Sequence, residues 1–127
     1  MKAKECSAAA LAYLGDAVLE VCVREHLVLM GLSSSARLNS TALEYVKASR
    51  QAEAMKRILP VLTEEEEAVF RRGRNMGHTN TPKSATVSEY RSATGMEALF
   101  GYLHLEGRME RIVELFSIAY ETEKDQE

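Results

Sequence analysis

A chain of 127 residues, 46% hydrophobic and 28% charged, has enough apolar material for one compact domain with a real core, spanning residues 1–127. No run of about 18 apolar residues is present, so a transmembrane helix is excluded and no membrane partner is expected. The net charge of −3 argues weakly against a polyanionic partner, but it is unevenly spread. Between Arg71 and Arg91 five basic residues face one glutamate, a local net of +4. A basic patch on an acidic body can bind a polyanion locally, because salt screens charges beyond about 10 Å.

Lys2 and Lys4 before an apolar run imitate a secretory leader, but Glu5, Asp16 and Glu20 interrupt both of its parts. A cytoplasmic protein is expected. Cys6 and Cys22 are read as two thiols on the first helix, too far apart to bridge and suited to a reducing compartment.

Helical periodicity dominates, with no alternating strand, so the fold class is all-α. A first helix is predicted from Ser7, a good N-cap, to Met30, with Gly31 as its stop and Leu11, Leu14, Val18, Val21 and Cys22 as its inward stripe. Two more follow. One covers about 35–47 with Leu38, Ala42, Tyr45 and Val46 inward; the other covers about 50–59, between the cap Ser49 and Pro60. Thr63 and Glu66 form a capping box ahead of VFRRGRN, whose arginines suit a helix C-terminus. MGHTNTPKSAT reads as an exposed loop. Thr86 and Glu89 open a long helix that Gly107 closes, and a last helix near 108–121 turns Met109, Ile112, Val113, Leu115 and Phe116 inward. Residues 119–127 read as a charged, fraying tail.

Two of these helices carry the same oddity. ALAYLGDAVLEVCV holds Asp16 beside Gly15, and ATGMEALFGYLHL holds a single acid, Glu97, between Gly95 and Gly101. Glycine inside a helix costs up to about 1 kcal/mol against alanine, and it is tolerated where backbones must approach closely. If the helices cross at their glycines, Asp16 and Glu97 meet. Two carboxylates in contact must share a proton or hold a cation. Oxygen ligands without a Cys/His cluster suit Mg²⁺ or Mn²⁺. Glu20, one turn on and about 40° round the helix, could hold a metal-bound water or a second ion. The alternative is that each acid is neutralised by one of the chain's 16 lysines and arginines, and pattern alone leaves both open. His104 lies about 10 Å along the axis from Glu97, too far to share an ion, and reads as structural. His26 and His78 read as surface residues. No phosphate loop or nucleophile elbow is present, so metal-assisted hydrolysis is the reaction class left for an enzyme.

LAYLGDAV and TGMEALFGYLHLEG resemble the two acidic helices of the ribonuclease III catalytic domain. With YVKASRQAEA, LTEEEEAVFRRGRN and TNTPKSA they are similar, in order, to its short branch, Mini-ribonuclease III, which lacks a separate double-stranded-RNA-binding domain. The resemblance covers roughly residues 7–116. It implies a homodimeric helical bundle that cuts double-stranded RNA with Mg²⁺, or Mn²⁺ in its place, leaving 5′-phosphate ends. The typical substrate is precursor large-subunit ribosomal RNA, which a ribosomal protein could present. Asp16 and Glu97 then fall on the essential positions, as metal ligands and catalytic residues, with Glu20 as a further catalytic candidate. Classical members carry acids where this chain has Ala9, Ala12 and Thr94, which favours one tightly held ion over two.

Double-stranded RNA is read through phosphates, shape and 2′-hydroxyls. Arg72, Arg74, Asn75, Thr79, Thr81 and Lys83 suit that task, with Arg50, Gln51 and Arg91 behind them. The apolar run Leu99, Phe100 and Leu103 is expected to exceed what one subunit buries and so to favour a dimer. A catalytically silent RNA-binding ribosome-assembly module of the same fold and a protein-only helical adaptor are the competing classes.

Overall fold

The computed structural model describes residues 2–76 and 85–122, and every regular element among them is helical. After a single 3-10 turn at Ala3–Glu5 come α1 (Ala8–Leu29), α2 (Ser35–Val46), α3 (Ala48–Ile58), a second 3-10 turn at Leu59–Val61, α4 (Glu64–Arg74), α5 (Val87–Leu105) and α6 (Met109–Tyr120). Local chemistry explains the boundaries. Ser7 and Ser34 accept from backbone N–H groups three residues on. Thr63–Glu66 and Thr86–Glu89 form complete capping boxes. Gly31 and Gly107 lie at φ +95° and +71°, the left-handed geometry that ends α1 and α5. Among the described residues no helix is long and apolar enough to cross a membrane.

Helix α5 is the axis of the molecule, with α1, α3 and α4 packed around it and α6 across α3. It buries residues on nearly every side, from Ala93 to Leu103. Leu99, Phe100 and Leu103 are fully enclosed within one subunit, which removes the reason for expecting them at a dimer contact. Polar staples fix the outer helices. The Arg111 guanidinium donates twice to the wholly buried Glu66 carboxylate, at 2.9 and 2.8 Å, and also to the Val61 carbonyl, tying α6 to the start of α4. Arg57 on α3 donates to the Ala119 carbonyl, and the Tyr120 hydroxyl donates to the Tyr45 carbonyl. Ala119, Tyr120 and Thr122 are therefore buried, against the expectation of a loose tail from 119; residues 123–127 lie outside the described residues.

Several faces differ from their sequence reading. Helix α3 starts at Ala48 with Lys47 as its N-cap, so Ser49 lies inside the helix. Cys6 follows the first 3-10 turn, ahead of α1, and the two cysteines are not joined in a disulfide. His26 is 6% exposed, its ring against Tyr45 and Phe116 at centroid distances of 5.8 and 6.2 Å. It falls on the core face with Leu19 and Val23, at helical spacing that overrides the polar character of the ring. Val21, Met109 and Val113 are exposed rather than inward. With Leu14, Leu29 and Phe116 they line an apolar groove of about 460 Å³ between α1 and α6, and the exposed His104 edges it.

Candidate active site

The position of the two acids follows from where glycine permits helices to touch. A Cβ on Gly15 would lie 1.5 Å from the Glu97 carbonyl oxygen, and a Cβ on Gly101 would lie 2.0 Å from the Leu11 carbonyl oxygen. Helices α1 and α5 thus meet backbone to backbone, a separation that alanine at either position would forbid. Gly95 serves a different contact: it faces Phe70 and Gly73 and lets α4 lie against α5. Asp16 follows Gly15 on α1, and Glu97 projects from the same crossing. Their carboxyl groups share a hydrogen bond. Burial, then that hydrogen bond, then the Asp16 charge push the Glu97 carboxyl up to about 8, so it is protonated at neutral pH and donates to the Asp16 carboxylate. Among the described residues neither acid is ion-paired to an arginine or lysine.

The pair opens into a shallow depression of about 240 Å³. Ala9, Ala12, Tyr13 and Asp16 form the α1 wall, Tyr90, Thr94 and Glu97 form the α5 wall, and Met76 closes the end beyond α4. Among the described residues no group of three or more His, Cys, Asp or Glu is placed to hold a metal ion, and the described lining of the depression carries two carboxyl groups. Two acids that share a proton on an open face, with room beside them, fit a hard divalent cation that keeps most of its waters. A closed tetrahedral zinc site does not fit them.

The Ribonuclease III domain model matches residues 9–108, most of the chain and both acidic helices. The chain belongs to the ribonuclease III domain family. It is 48% identical to a Mini-ribonuclease 3 of Symbiobacterium thermophilum, over 86% of this chain and 84% of that one. It is 44% identical to the Mini-ribonuclease 3 of Enterococcus faecalis, over 90% and 88% respectively. A crystal structure of a Fusobacterium nucleatum protein superposes with a TM-score of 0.84 at 32% identity, covering 94% of this chain and 95% of that one. As a ribonuclease III of the Mini-ribonuclease 3 type, the chain is an endoribonuclease that acts on double-stranded RNA.

The other ribonuclease III candidates scatter. Glu20 accepts from Arg24 Nε at 3.1 Å and does not line the depression. At the end of α4, Arg72 donates to the Cys6 carbonyl at 3.0 Å, the Arg74 guanidinium lies 5.6 Å from the Phe70 ring centre, and Asn75 caps the helix. All three are exposed, as is Arg91 in the first turns of α5, and none of the four lines the depression. Arg50 stacks over Tyr45 and Tyr120, at 5.2 and 5.8 Å from their centroids. Gln51 is a correction: at 4% exposure it lies inside the bundle, on the α3 face shared with Met55 and Ile58, and cannot reach a duplex. Its spacing of four and seven residues from those two apolar side chains was the signal that it faces inward. Thr79, Thr81, Lys83 and His78 lie outside the described residues.

Sequence reading missed Tyr90 and Met76 altogether. Tyr90 stands seven residues before Glu97 and four before Thr94, a spacing that alone places it on the face of α5 that carries the acid. Ala9, Ala12 and Thr94, identified as the places where classical members carry acids, all line the depression.

Proposed function

We propose that this ribonuclease III hydrolyses double-stranded RNA at the Asp16–Glu97 depression, with one Mg²⁺ per site and Mn²⁺ as a working substitute, in maturation of large-subunit ribosomal RNA. The observation that carries this reading is the meeting of two carboxyl groups, hydrogen-bonded to each other, at an open helix crossing. When bound there, a divalent ion supplies a nucleophilic water at neutral pH and neutralises charge on the phosphate. Asp16 and Glu97 hold it, and Glu97 gives up its proton to do so. Ala9, Ala12 and Thr94 contribute no further carboxylate, which leaves the remaining coordination positions to waters and RNA oxygens. Arg72, Arg74, Asn75 and Arg91 contact the duplex, and Lys83, Thr79 and Thr81 are assigned to the same task by residue type. Glu20 serves through Arg24, at a distance from the ion.

A homodimer completes this reading. Val21 is 63% exposed and Val113 62%, and together with the groove between α1 and α6 they form an apolar surface that one subunit leaves uncovered. A second copy covers it and sets two depressions along one duplex. A ribosomal protein that presents the RNA, and a cytoplasmic setting, accompany the proposal.

A labelled RNA duplex incubated with the protein in Mg²⁺ or Ca²⁺ tests it. Cleavage is expected in Mg²⁺ alone, and Asp16→Asn and Glu97→Gln should each abolish it. Binding without cleavage in Mg²⁺ would identify a silent RNA-binding module. No binding at low salt would reject both.

A further inference from the structure

Helix α5 meets its neighbours at two glycine crossings, and joining the acids needs only one of them. Gly15 and Gly101 bring α1 against it. The second crossing lies on another side. A Cβ on Gly73 of α4 would lie 2.7 Å from the Ala98 Cβ and 2.9 Å from the Gly95 Cα, and a Cβ on Gly95 would lie 2.8 Å from the Phe70 carbonyl oxygen. Gly95 and Glu97 are two residues apart, hence on roughly opposite sides of α5. The second crossing therefore holds α4 against the same turns of α5 that carry the acid, without touching the acid itself. Its effect reaches the depression through the end of α4. The Gly73 carbonyl accepts from the Met76 N–H at 3.3 Å, and Met76, two residues past the helix, is part of the wall of the hollow. The Arg74 guanidinium rests over Phe70, the ring for which Gly95 leaves room. Helix α4 packs chiefly on α5, whereas α5 is also held by α1 and α3. A methyl at Gly73 thus displaces α4 and leaves α5 in place.

We propose that Gly73 and Gly95 are positioning residues for the scissile phosphate: their contact sets where the Met76 wall and the last turn of α4 stand relative to Asp16 and Glu97, and so how the strand seats over the ion. This rests on the nuclease reading. The two crossings divide the work, one fixing the ion and the other fixing the RNA against it. Rate depends steeply on such placement, since a shift of about 1 Å costs up to about a hundredfold. Affinity depends on it far less, because it is dominated by phosphate charge spread along the duplex.

Gly73→Ala tests it in the full-length protein, with all kinetics measured below the melting transition. The kcat for an RNA duplex at saturating RNA in Mg²⁺ should fall roughly ten- to a hundredfold. The Kd for the duplex in Ca²⁺ and the Kd for Mn²⁺ by calorimetry should stay within error of the parent. Adding Ala98→Gly removes the atom nearest the new methyl and should return part of the lost kcat. Ala98→Gly alone should lower the melting temperature and leave kcat unchanged. Met76→Ala leaves the crossing intact and removes the wall, so it too should lower kcat with Mn²⁺ binding preserved; it carries the test if Gly73→Ala does not fold. A less stable Gly73→Ala with the parent's kcat would overturn the proposal, by reducing the crossing to packing. A parent-like kcat in Met76→Ala would overturn it as well. Weakened Mn²⁺ binding in either variant would do the same, by making the contact a support for the acids. A parent protein that neither binds nor cuts the duplex refutes the nuclease reading and this inference with it. A parent that cuts, beside variants of equal kcat, refutes the inference alone.

Discussion

At Glu97, burial and a neighbouring carboxylate act in the same direction, and the protonation state of one side chain links stability, metal and pH. Its folded value of about 8 lies above its unfolded value of 4.5. The metal-free folded state therefore carries a proton across that window that the unfolded chain does not. The stability this contributes is full below the unfolded value and is lost as pH rises through the folded one. Urea denaturation in EDTA should show a midpoint that falls from pH 5 to pH 8, and Glu97→Gln should flatten that slope. Metal binding has the opposite preference. Titration of Mg²⁺ or Mn²⁺ at pH 7, repeated in buffers of different ionisation enthalpy, should report release of about one proton per ion. The same titration on Glu97→Gln should report no proton release and much weaker binding.

The element scale is governed by the α1–α5 crossing. Gly15→Ala and Gly101→Ala each drive a methyl into backbone of the other helix, which has no rotamer through which to yield. Overpacking of this kind costs at least about 2 kcal/mol, and it also separates the two acids. Both variants should lower the urea midpoint and lose Mn²⁺ binding together. Gly31→Ala is the comparison: nothing lies near its Cβ, so it bears only the left-handed backbone penalty of roughly 1 kcal/mol and should bind Mn²⁺ normally. The Glu66–Arg111 pair makes a second test. Arg111→Met leaves a carboxylate buried at the start of α4 without its cation, and breaking such pairs costs about 3–5 kcal/mol, less here because Arg111 is partly exposed. Its melting temperature should fall by several degrees, while Mn²⁺ affinity at the distant site, measured below the transition, should not change.

For the whole molecule, the uncovered apolar surface is the deciding feature. Leu99, Phe100 and Leu103 are satisfied within one subunit, whereas Val21, Met109 and Val113 are not. Val113→Glu places a charge on that surface without touching the acids. By sedimentation equilibrium the parent should have twice the mass of this variant. The variant should keep its Mn²⁺ affinity and lose most of its cleavage of long duplexes, because one subunit grips one stretch of RNA.

The sequence by itself determined the helices and their limits, because caps, capping boxes and left-handed glycines are local chemistry complete within a few residues. It also nominated Asp16 and Glu97, since an acid beside a glycine in an apolar helix has few reasons to exist. Faces were harder to read. Periodicity says that a helix has an apolar side, but not how wide that side is or whether a neighbour or solvent meets its edge. Val21, Met109 and Val113 fell at such edges, while His26 and Gln51 belong to the inner faces of their helices, where the polar character of the side chain hid the spacing. Only tertiary structure decided that Gly15 and Gly101, rather than Gly95, bring the acids together, and that Tyr90 shares their hollow. Contacts between helices some eighty residues apart leave no periodic mark on either segment.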